Sequence, residues 1–408
     1  MIKLKPYYLL DKAEQIEALY LNLAADVLPF LPEDVLDGVQ KSKDSKSDTP
    51  RVRNEPYKKL LLDCQLPPEE EDRRKRRVID ACMAKKLIVE NSKDLFDWLY
   101  EGCQAAPDGR VNRVHMRELL TTREPEAFTK YTCGTEKGAK LLLKQVFRYE
   151  SFIKSPMLYN LIQMLQVPVC PYCNRSFTTT VYKEKAAKKA SGQAGSQNQE
   201  PEATKSRPQL DHFKNKDKYP HLALSILNLV PCCGSCNLIK HDKDEDILYP
   251  YVEGMEDKLT FRTEYRRLVP AATGTQTTLE DFSIILELNS LMDKALLDRI
   301  RHSIDVFGLE ELYQSHKSYV AWLYFQRYVL TQDMARDIAR QFPTLFSSAE
   351  QVREIMLLMD PSMEQWGERP LAKLTSDISR QIDREYVQNP EIVRRIWRSD
   401  PSLAGKLG

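Results

Sequence analysis

The stretch of sequence that decides the fold begins with CPYC at residues 170–173 and ends with CCGSCNLIK at residues 232–240. It contains two Cys-x2-Cys pairs, which are formed by Cys170, Cys173, Cys233 and Cys236. Four thiolates complete the tetrahedral shell of a Zn²⁺ ion and leave no open coordination position. The spacing therefore predicts a closed, structural zinc site that stabilises a small module.

Three polar residues lie between the cysteine pairs, and a fourth follows them directly. These residues are Asp211, His212, Asn228 and Asn237. Hydrolysis of a phosphodiester bond needs an in-line water, a base that accepts its proton, and positive charge beside the anionic transition state. His212 can be the base because imidazole titrates near neutral pH. Asp211 and Asn237 offer the oxygen ligands that Mg²⁺ prefers, and the Asn228 amide can hold the loop or the histidine ring.

The segment between the pairs is also locally basic. From Lys205 to Lys240 the sequence carries a net charge of about +4, whereas the whole chain carries +1. Such a patch predicts a polyanionic substrate and binding that weakens as salt is added. Lys240 follows Asn237 by three residues, so a helix would place both on one face. We predict phosphate contacts for Lys214, Lys218 and Lys240, with a solvated side chain as the alternative for Lys240.

The order Asp-His, Asn and Asn within a module held by cysteine pairs resembles the HNH nuclease family, which has the ββα-metal fold. The resemblance implies that His212 takes the position of the general base, Asn228 the middle position and Asn237 the third position. Asp211 takes the acidic position before the histidine, and the cysteine pairs match the zinc-containing subgroup. This resemblance covers about 80 of the 408 residues.

Longer strings narrow the resemblance. Those similar to the PtuB-like HNH proteins of Septu-type anti-phage systems are CPYCNR at 170–175, LDHF at 210–213, KYP at 218–220 and NLVP at 228–231. The resemblance implies an endonuclease that cleaves DNA with one Mg²⁺ ion, leaves a 5′-phosphate and a 3′-hydroxyl, and acts in antiviral defence with an ATPase partner. The sequence contains no Gly-x4-Gly-Lys-[Ser/Thr] motif, so we expect ATP chemistry to come from another subunit.

Outside the module the sequence predicts a mainly helical chain around a small α+β insert. The predicted regions are a helical N-terminal region at 1–155, the HNH module at 156–252 and a helical C-terminal region at 253–408. Within the module, residues 183–208 contain no large apolar residue and are predicted to be a disordered insertion. The helical arms are predicted to dock a partner or to position nucleic acid.

Apolar spacing predicts several individual helices. One covers residues 91–100, and another begins at Ser155-Pro156, where proline suits a first helical turn. From about Leu279 onward the chain is again predicted to be helical, with an apolar series that includes Ile284, Leu286, Leu288 and Leu291. A second series, at 319–328, is rich in aromatic residues and is predicted to lie in the core.

Composition excludes several classes of protein. Hydrophobic residues make up 42% and charged residues 29%, which are ordinary values for a folded protein and exclude a disordered or collagen-like chain. No stretch approaches the ~20 apolar residues that span a bilayer, and the N-terminus lacks the apolar segment of a signal peptide. Nine cysteines, an odd number, do not indicate a disulfide framework. We therefore expect a cytoplasmic protein without membrane contact.

Two alternatives to a DNA nuclease are also consistent with the sequence. A non-catalytic zinc module that binds nucleic acid or protein would keep the four cysteines but would not need the spacing of Asp211, His212, Asn228 and Asn237. An RNA-cleaving enzyme, with a tRNA substrate for example, would keep that spacing. The sequence does not separate DNA from RNA, because the base and the metal ion act on the phosphate and not on the sugar.

Overall fold

A computed structural model gives the structure of most of the chain. It describes residues 2–27, 83, 88–101, 103–105, 111–183, 204–265, 282–289, 291–356, 366–388, 393, 396, 402 and 403. Within these ranges the fold is mainly helical with small antiparallel sheets. No helix in the same ranges is long and apolar enough to cross a membrane.

Helices precede the first cysteine pair in the described part of the chain. They are α1 (Ala13–Val27), α2 (Glu90–Glu101), α3 (Val114–Thr121), α4 (Lys137–Val146), α5 (Tyr149–Phe152) and α6 (Met157–Met164). Helix α2 confirms the helix predicted at 91–100, and α6 confirms the one predicted after Pro156. The ring of Pro156 restricts its φ angle, which is −59° and suits the start of α6.

The strands form two-stranded antiparallel sheets. The pairs are β1 (Cys103–Ala105) with β2 (Val111–Arg113), β3 (Val181–Lys183) with β4 (Thr204–Ser206), β5 (Gln209–His212) with β6 (Leu229–Cys232), and β7 (Leu259–Tyr265) with β8 (Phe282–Leu288). Between β6 and β7 lies helix α7 (Gly234–Lys240). The C-terminal helices are α8 (Lys294–Phe307), α9 (Leu309–Gln314), α10 (Lys317–Val329), α11 (Gln332–Gln341), α12 (Ala349–Met356) and α13 (Ala372–Gln388).

Buried side chains from all three predicted regions belong to one hydrophobic cluster, which includes Tyr20, Tyr172, Phe307 and Leu374. The rings of Tyr172 and Phe307 stack with their centroids 4.4 Å apart. This contact joins the first cysteine pair to α8. The residues at 319–328 form most of α10, whose buried face includes Leu323 and confirms the predicted core helix.

The predicted disordered insertion is wrong at both ends. Lys183, the first residue of the predicted segment, pairs with Thr204, and Ser206 near its other end pairs with Val181, so both ends take part in the β3–β4 ladder. Residues 184–203 lie outside the described residues. A backbone ladder needs no large apolar side chain of its own, which is why composition did not reveal it.

The apolar series around residue 284 is a strand and not the predicted helix. Ile284, Leu286 and Leu288 lie in β8, where the side chains of Phe282, Ile284 and Leu286 are buried and the intervening ones are less so. Spacing of two residues places side chains on one face of a strand, whereas a helix needs three or four. The fourth member of the series, Leu291, lies beyond the strand and is exposed.

Side-chain amides cover both edges of the β7–β8 sheet. Thr263 of β7 lies opposite Ile284 of β8. Gln381 of α13 accepts a hydrogen bond from Thr263 N at 2.8 Å and donates one to Thr263 O at 3.0 Å. Gln314 of α9 makes the same pair of bonds with Ile284, at 3.2 and 2.6 Å. Each glutamine therefore takes the place of a neighbouring strand.

Candidate functional site

A β-hairpin followed by a short helix carries the predicted catalytic residues. Strand β5 ends at His212, which lies opposite Leu229 at the start of β6. Helix α7 begins directly after β6, because Cys233 has an extended backbone and its Sγ accepts a hydrogen bond from Cys236 N at 3.5 Å. The order strand, strand, helix is the one that a ββα arrangement requires. That the module is an HNH nuclease core stays a prediction.

The four cysteines predicted to bind zinc lie together. Their Sγ atoms are all within 4.8 Å of one another, and those of Cys173 and Cys233 are 3.9 Å apart. A tetrahedral zinc ion with Zn–S bonds of about 2.3 Å places sulfur atoms about 3.8 Å apart. Hydrogen bonds within the cluster lower the pKa of the Cys233 thiol well below its usual value, and the bond with Cys170 has the largest effect. The cluster is therefore compatible with a closed zinc site, whereas the buried Cys232 beside it is not part of it.

The C-terminal region holds the first cysteine pair in its turn. Asn174 has a φ angle of +50°, in the left-handed region, and its N–H donates to Cys170 O at 2.8 Å. Its side-chain amide donates to Trp366 O at 2.7 Å. The hydroxyl of Tyr313 donates to Cys173 O at 2.6 Å. The turn is thus fixed by bonds to residues far away in the sequence.

His212 is a buried, neutral imidazole held by a backbone carbonyl. Its Nε2 lies 3.1 Å from Ala223 O, and because a carbonyl only accepts, Nε2 must carry the hydrogen. Burial, helped by the charge of Lys216, lowers the pKa of His212 to about 3. The ring of Tyr149 packs edge to face against the imidazole, and the two ring centroids are 4.4 Å apart. Nδ1 makes no hydrogen bond to a described residue, so its lone pair is available to a proton.

Asn228 holds the loop that follows His212, and in the described structure its side chain makes no hydrogen bond to the histidine ring. Its Oδ1 accepts from Lys214 N at 2.7 Å. Its Nδ2 donates to Lys214 O at 3.1 Å and to Leu222 O at 2.9 Å. Of the two orienting roles predicted for this amide, the contacts match the one on the loop.

The N-terminal region fixes the segment that carries Ala223. The hydroxyl of Tyr20 in α1 donates to Leu224 O. Ser225 Oγ donates to Leu119 O of α3 at 2.8 Å. His221 Nε2 donates to Phe128 O at 2.9 Å, and its Nδ1 is buried without a partner in the described structure. Residues from both sides of Ala223 are therefore anchored to parts of the N-terminal region outside the hairpin.

Asp211 and Lys240 form a buried ion pair. Lys240 Nζ lies 3.1 Å from Asp211 Oδ1 and 3.0 Å from Oδ2, and both side chains are 3% exposed. The ammonium also donates to His212 O at 2.7 Å. Tyr172 donates its hydroxyl hydrogen to Asp211 Oδ2 at 2.6 Å. The prediction that Lys240 contacts phosphate does not match this position, because the α7 helix turns the lysine inward onto the carboxylate.

The other predicted phosphate contacts have acidic partners. Lys214 pairs with Glu126 at 2.9 Å, and Lys218 pairs with Asp244 at 2.6 Å. The neighbouring Lys216 lies 3.6 Å from Glu150. Acids from outside the basic segment therefore offset much of its local charge, which a count along the sequence does not include.

The predicted Mg²⁺ ligands do not fit a divalent ion in this arrangement. Asn237, on α7, is half-buried, and its side chain makes no hydrogen bond to a described residue. Asp211, however, already has an ammonium at 3.0 Å and a hydroxyl at 2.6 Å. A divalent cation at Asp211 would lie beside the positive charge of Lys240.

Sequence reasoning missed Tyr172, Tyr149 and the carbonyl of Ala223 as parts of this site. The position of Tyr172 between the first two cysteines places it beside the cysteine cluster, but the sequence does not indicate its hydrogen bond to Asp211. A backbone carbonyl has no residue-type signal. Comparisons of the chain with protein-family models, with curated proteins and with solved structures find no match.

Proposed function

We propose that this chain is an HNH endonuclease that hydrolyses phosphodiester bonds of DNA with His212 as the general base. The supporting observation is the state of that imidazole at the end of β5. The ring is neutral, Nε2 donates a hydrogen bond to Ala223 O, and Nδ1 makes no hydrogen bond within the described structure. Nδ1 would take a proton from the attacking water, and the carbonyl of Ala223 would stabilise the positive ring that results.

We also propose that the four cysteines hold a structural Zn²⁺ ion. The cluster links the 170–173 turn to the start of α7, so the metal would fix the helix against the hairpin. A closed four-thiolate site has no open position for water or substrate. Its contribution to the reaction is therefore to hold the residues around His212.

The further proposals about biological role come from the resemblance. We propose an anti-phage effector that works with an ATPase partner encoded nearby, and we expect the helical regions to dock that partner. Addition of the neighbouring ATPase, with and without ATP, tests this directly. An increase in cleavage by the wild type that is lost in His212→Ala would support the partnership.

Cleavage of supercoiled plasmid tests the nuclease proposal. Wild type, His212→Ala and His302→Ala are compared at low salt with Mg²⁺, with Mn²⁺ and with EDTA. His302 is exposed on α8, so it controls for the loss of a histidine outside the site. We expect nicking by the wild type and His302→Ala and loss of at least about 100-fold in His212→Ala. Cleavage of RNA but not DNA would move the substrate assignment to RNA.

A second candidate function is a non-catalytic zinc module that binds nucleic acid. One observation favours it: Asp211, His212 and Asn228 each have buried partners that a structural role explains. A pKa of about 3 also makes His212 a weak base. Under this alternative no cleavage of DNA or RNA appears with any metal ion or partner, while wild type and His212→Ala bind DNA equally.

A further inference from the structure

Lys240 occupies a position that is surrounded by oxygen atoms. Its Nζ contacts the Asp211 carboxylate at 3.0 and 3.1 Å, His212 O at 2.7 Å and Phe213 O at 3.4 Å. An ammonium has three hydrogens to donate, so these acceptors satisfy it. The lysine has no contact to spare for a substrate phosphate.

Both side chains of the Lys240–Asp211 pair are buried, so each charge needs the other to offset the cost of its removal from water. Lys240 and Asp211 side chains are both 3% exposed. A buried charge that loses its partner is strongly disfavoured. Asp211 therefore needs a cation at this position, and in this structure the cation is supplied by α7.

We propose that Lys240 is the resident cation of Asp211 and that it excludes a divalent ion from this carboxylate in the conformation described. The ammonium and a metal ion require the same negative charge and repel each other at this distance. A divalent ion binds Asp211 only after the Lys240 side chain has left it. Lys240 is thus a positioning residue that sets whether the site accepts a metal ion.

The proposal rests on the proposed function only in taking Asp211 as the ligand of a divalent ion. It does not require cleavage, so it is tested by binding. Mn²⁺ is titrated into the full-length, zinc-loaded chain and followed by electron paramagnetic resonance, with zinc content measured before and after. The variants are Lys240→Met, Asp211→Asn and Lys214→Met. Lys214 is the matched control because it is a nearby lysine whose acidic partner, Glu126, is exposed.

We expect Lys240→Met to bind Mn²⁺ at least about tenfold more tightly than the wild type. Lys214→Met should bind like the wild type, and adding Asp211→Asn to Lys240→Met should remove the gain. Tight binding by the wild type that disappears in Asp211→Asn would overturn the proposal. No gain in a folded Lys240→Met chain would overturn it too.

Thermal unfolding covers the case in which Lys240→Met folds poorly. Without its lysine, Asp211 is an unpaired buried charge, and Mn²⁺ should restore part of the lost melting temperature. The Lys240→Met/Asp211→Asn chain should show no rise in melting temperature with Mn²⁺. If Mn²⁺ also fails to raise the melting temperature of Lys240→Met alone, the proposal is contradicted. If Lys240→Met does not fold under any condition, the comparison of wild type with Asp211→Asn decides alone. A chain without nuclease activity can pass every one of these tests, so the two proposals fail separately.

Discussion

The hydroxyl of Tyr172, a residue between Cys170 and Cys173 of the cysteine cluster, donates its hydrogen to Asp211 Oδ2 at 2.6 Å. This bond joins the turn that carries Cys170 and Cys173 to the strand that ends at His212. Both side chains are buried, and burial together with the charge of Asp211 raises the pKa of Tyr172 well above its usual value. The cysteine cluster and the Asp211 site are therefore neighbours in one polar network.

We predict that Tyr172→Phe lowers the free energy of unfolding by about 1.5–3 kcal/mol, because the lost hydrogen bond has a charged acceptor. Tyr313→Phe is the matched control, since that buried tyrosine donates to the neutral carbonyl of Cys173 at 2.6 Å. Loss of the Tyr313 hydrogen bond should lower the free energy of unfolding by less than loss of the Tyr172 bond. Urea unfolding measures both, and an equal cost in the two variants would show that the carboxylate adds nothing.

Acid should destabilise the fold through its two buried histidines. Burial lowers the pKa of His212 to about 3 and of His221 to about 4. The unfolded chain takes up each proton near pH 6.5, so the stability is complete above that pH and is lost progressively as the pH falls toward the folded values. We expect the free energy of unfolding to fall by about 2 kcal/mol per histidine between pH 7 and pH 5.

The test of this pH dependence is its slope. Urea unfolding of His221→Gln and His212→Gln at several pH values should give a shallower decline than the wild type, whatever their stability at pH 7. His302→Gln, which changes an exposed histidine, should retain the wild-type slope. A wild-type slope in both buried variants would mean that these histidines are not the groups that titrate.

The cysteine cluster makes a prediction about metal content. We expect about one zinc ion per chain in the wild type and a large loss in Cys173→Ser, since a site with three thiolates binds zinc less tightly. Cys232→Ser removes a neighbouring buried thiol outside the cluster and should keep its zinc. Atomic absorption gives the metal content, and a chelator should lower the melting temperature of the wild type. Equal zinc in the two variants would contradict the assigned cluster.

Neutralising the acids that pair with the lysines of the basic segment should strengthen DNA binding. In Glu126→Gln/Glu150→Gln/Asp244→Asn, the paired lysines become available, so DNA affinity at low salt should rise. The salt dependence should steepen by up to about 0.9 per freed lysine that reaches a phosphate. Fluorescence anisotropy across a salt series measures both quantities.

A control with the same change in net charge separates local from general attraction. Asp298→Asn/Asp333→Asn/Asp337→Asn removes acids that pair with arginines on α8 and α11. An equal gain in affinity from this variant would mean that net charge acts without a defined surface. A gain restricted to the first variant would place the DNA near Lys214 and Lys218.

Local patterns predicted the parts of the fold that local chemistry determines. The cysteine pairs were found because the distance between two thiolates in one turn is fixed by two intervening residues. Helices α2 and α6 were found because apolar spacing and terminal residues lie within the helix itself. The strand β8 was missed because residues 284, 286 and 288 were joined to later apolar residues, and the joined series hid their spacing of two.

Features that depend on distant partners were not predictable in this way. The sequence predicts a phosphate contact for Lys240 because it does not reveal the ion pair with Asp211, which joins positions 29 residues apart. The acids that pair with Lys214 and Lys218 lie outside the basic segment at 205–240. The sequence thus located the candidate site but left open which charges in it are already paired.

The two glutamines that cover the β7–β8 sheet also impose an order on its completion during synthesis. Gln314 follows β8 closely in the chain, whereas Gln381 emerges from the ribosome much later. Until then, the N–H and C=O groups of Thr263 on the outer edge of β7 have no partner from α13. A nascent chain paused between α9 and α13 would therefore present one open strand edge, which other chains or a chaperone could recognise.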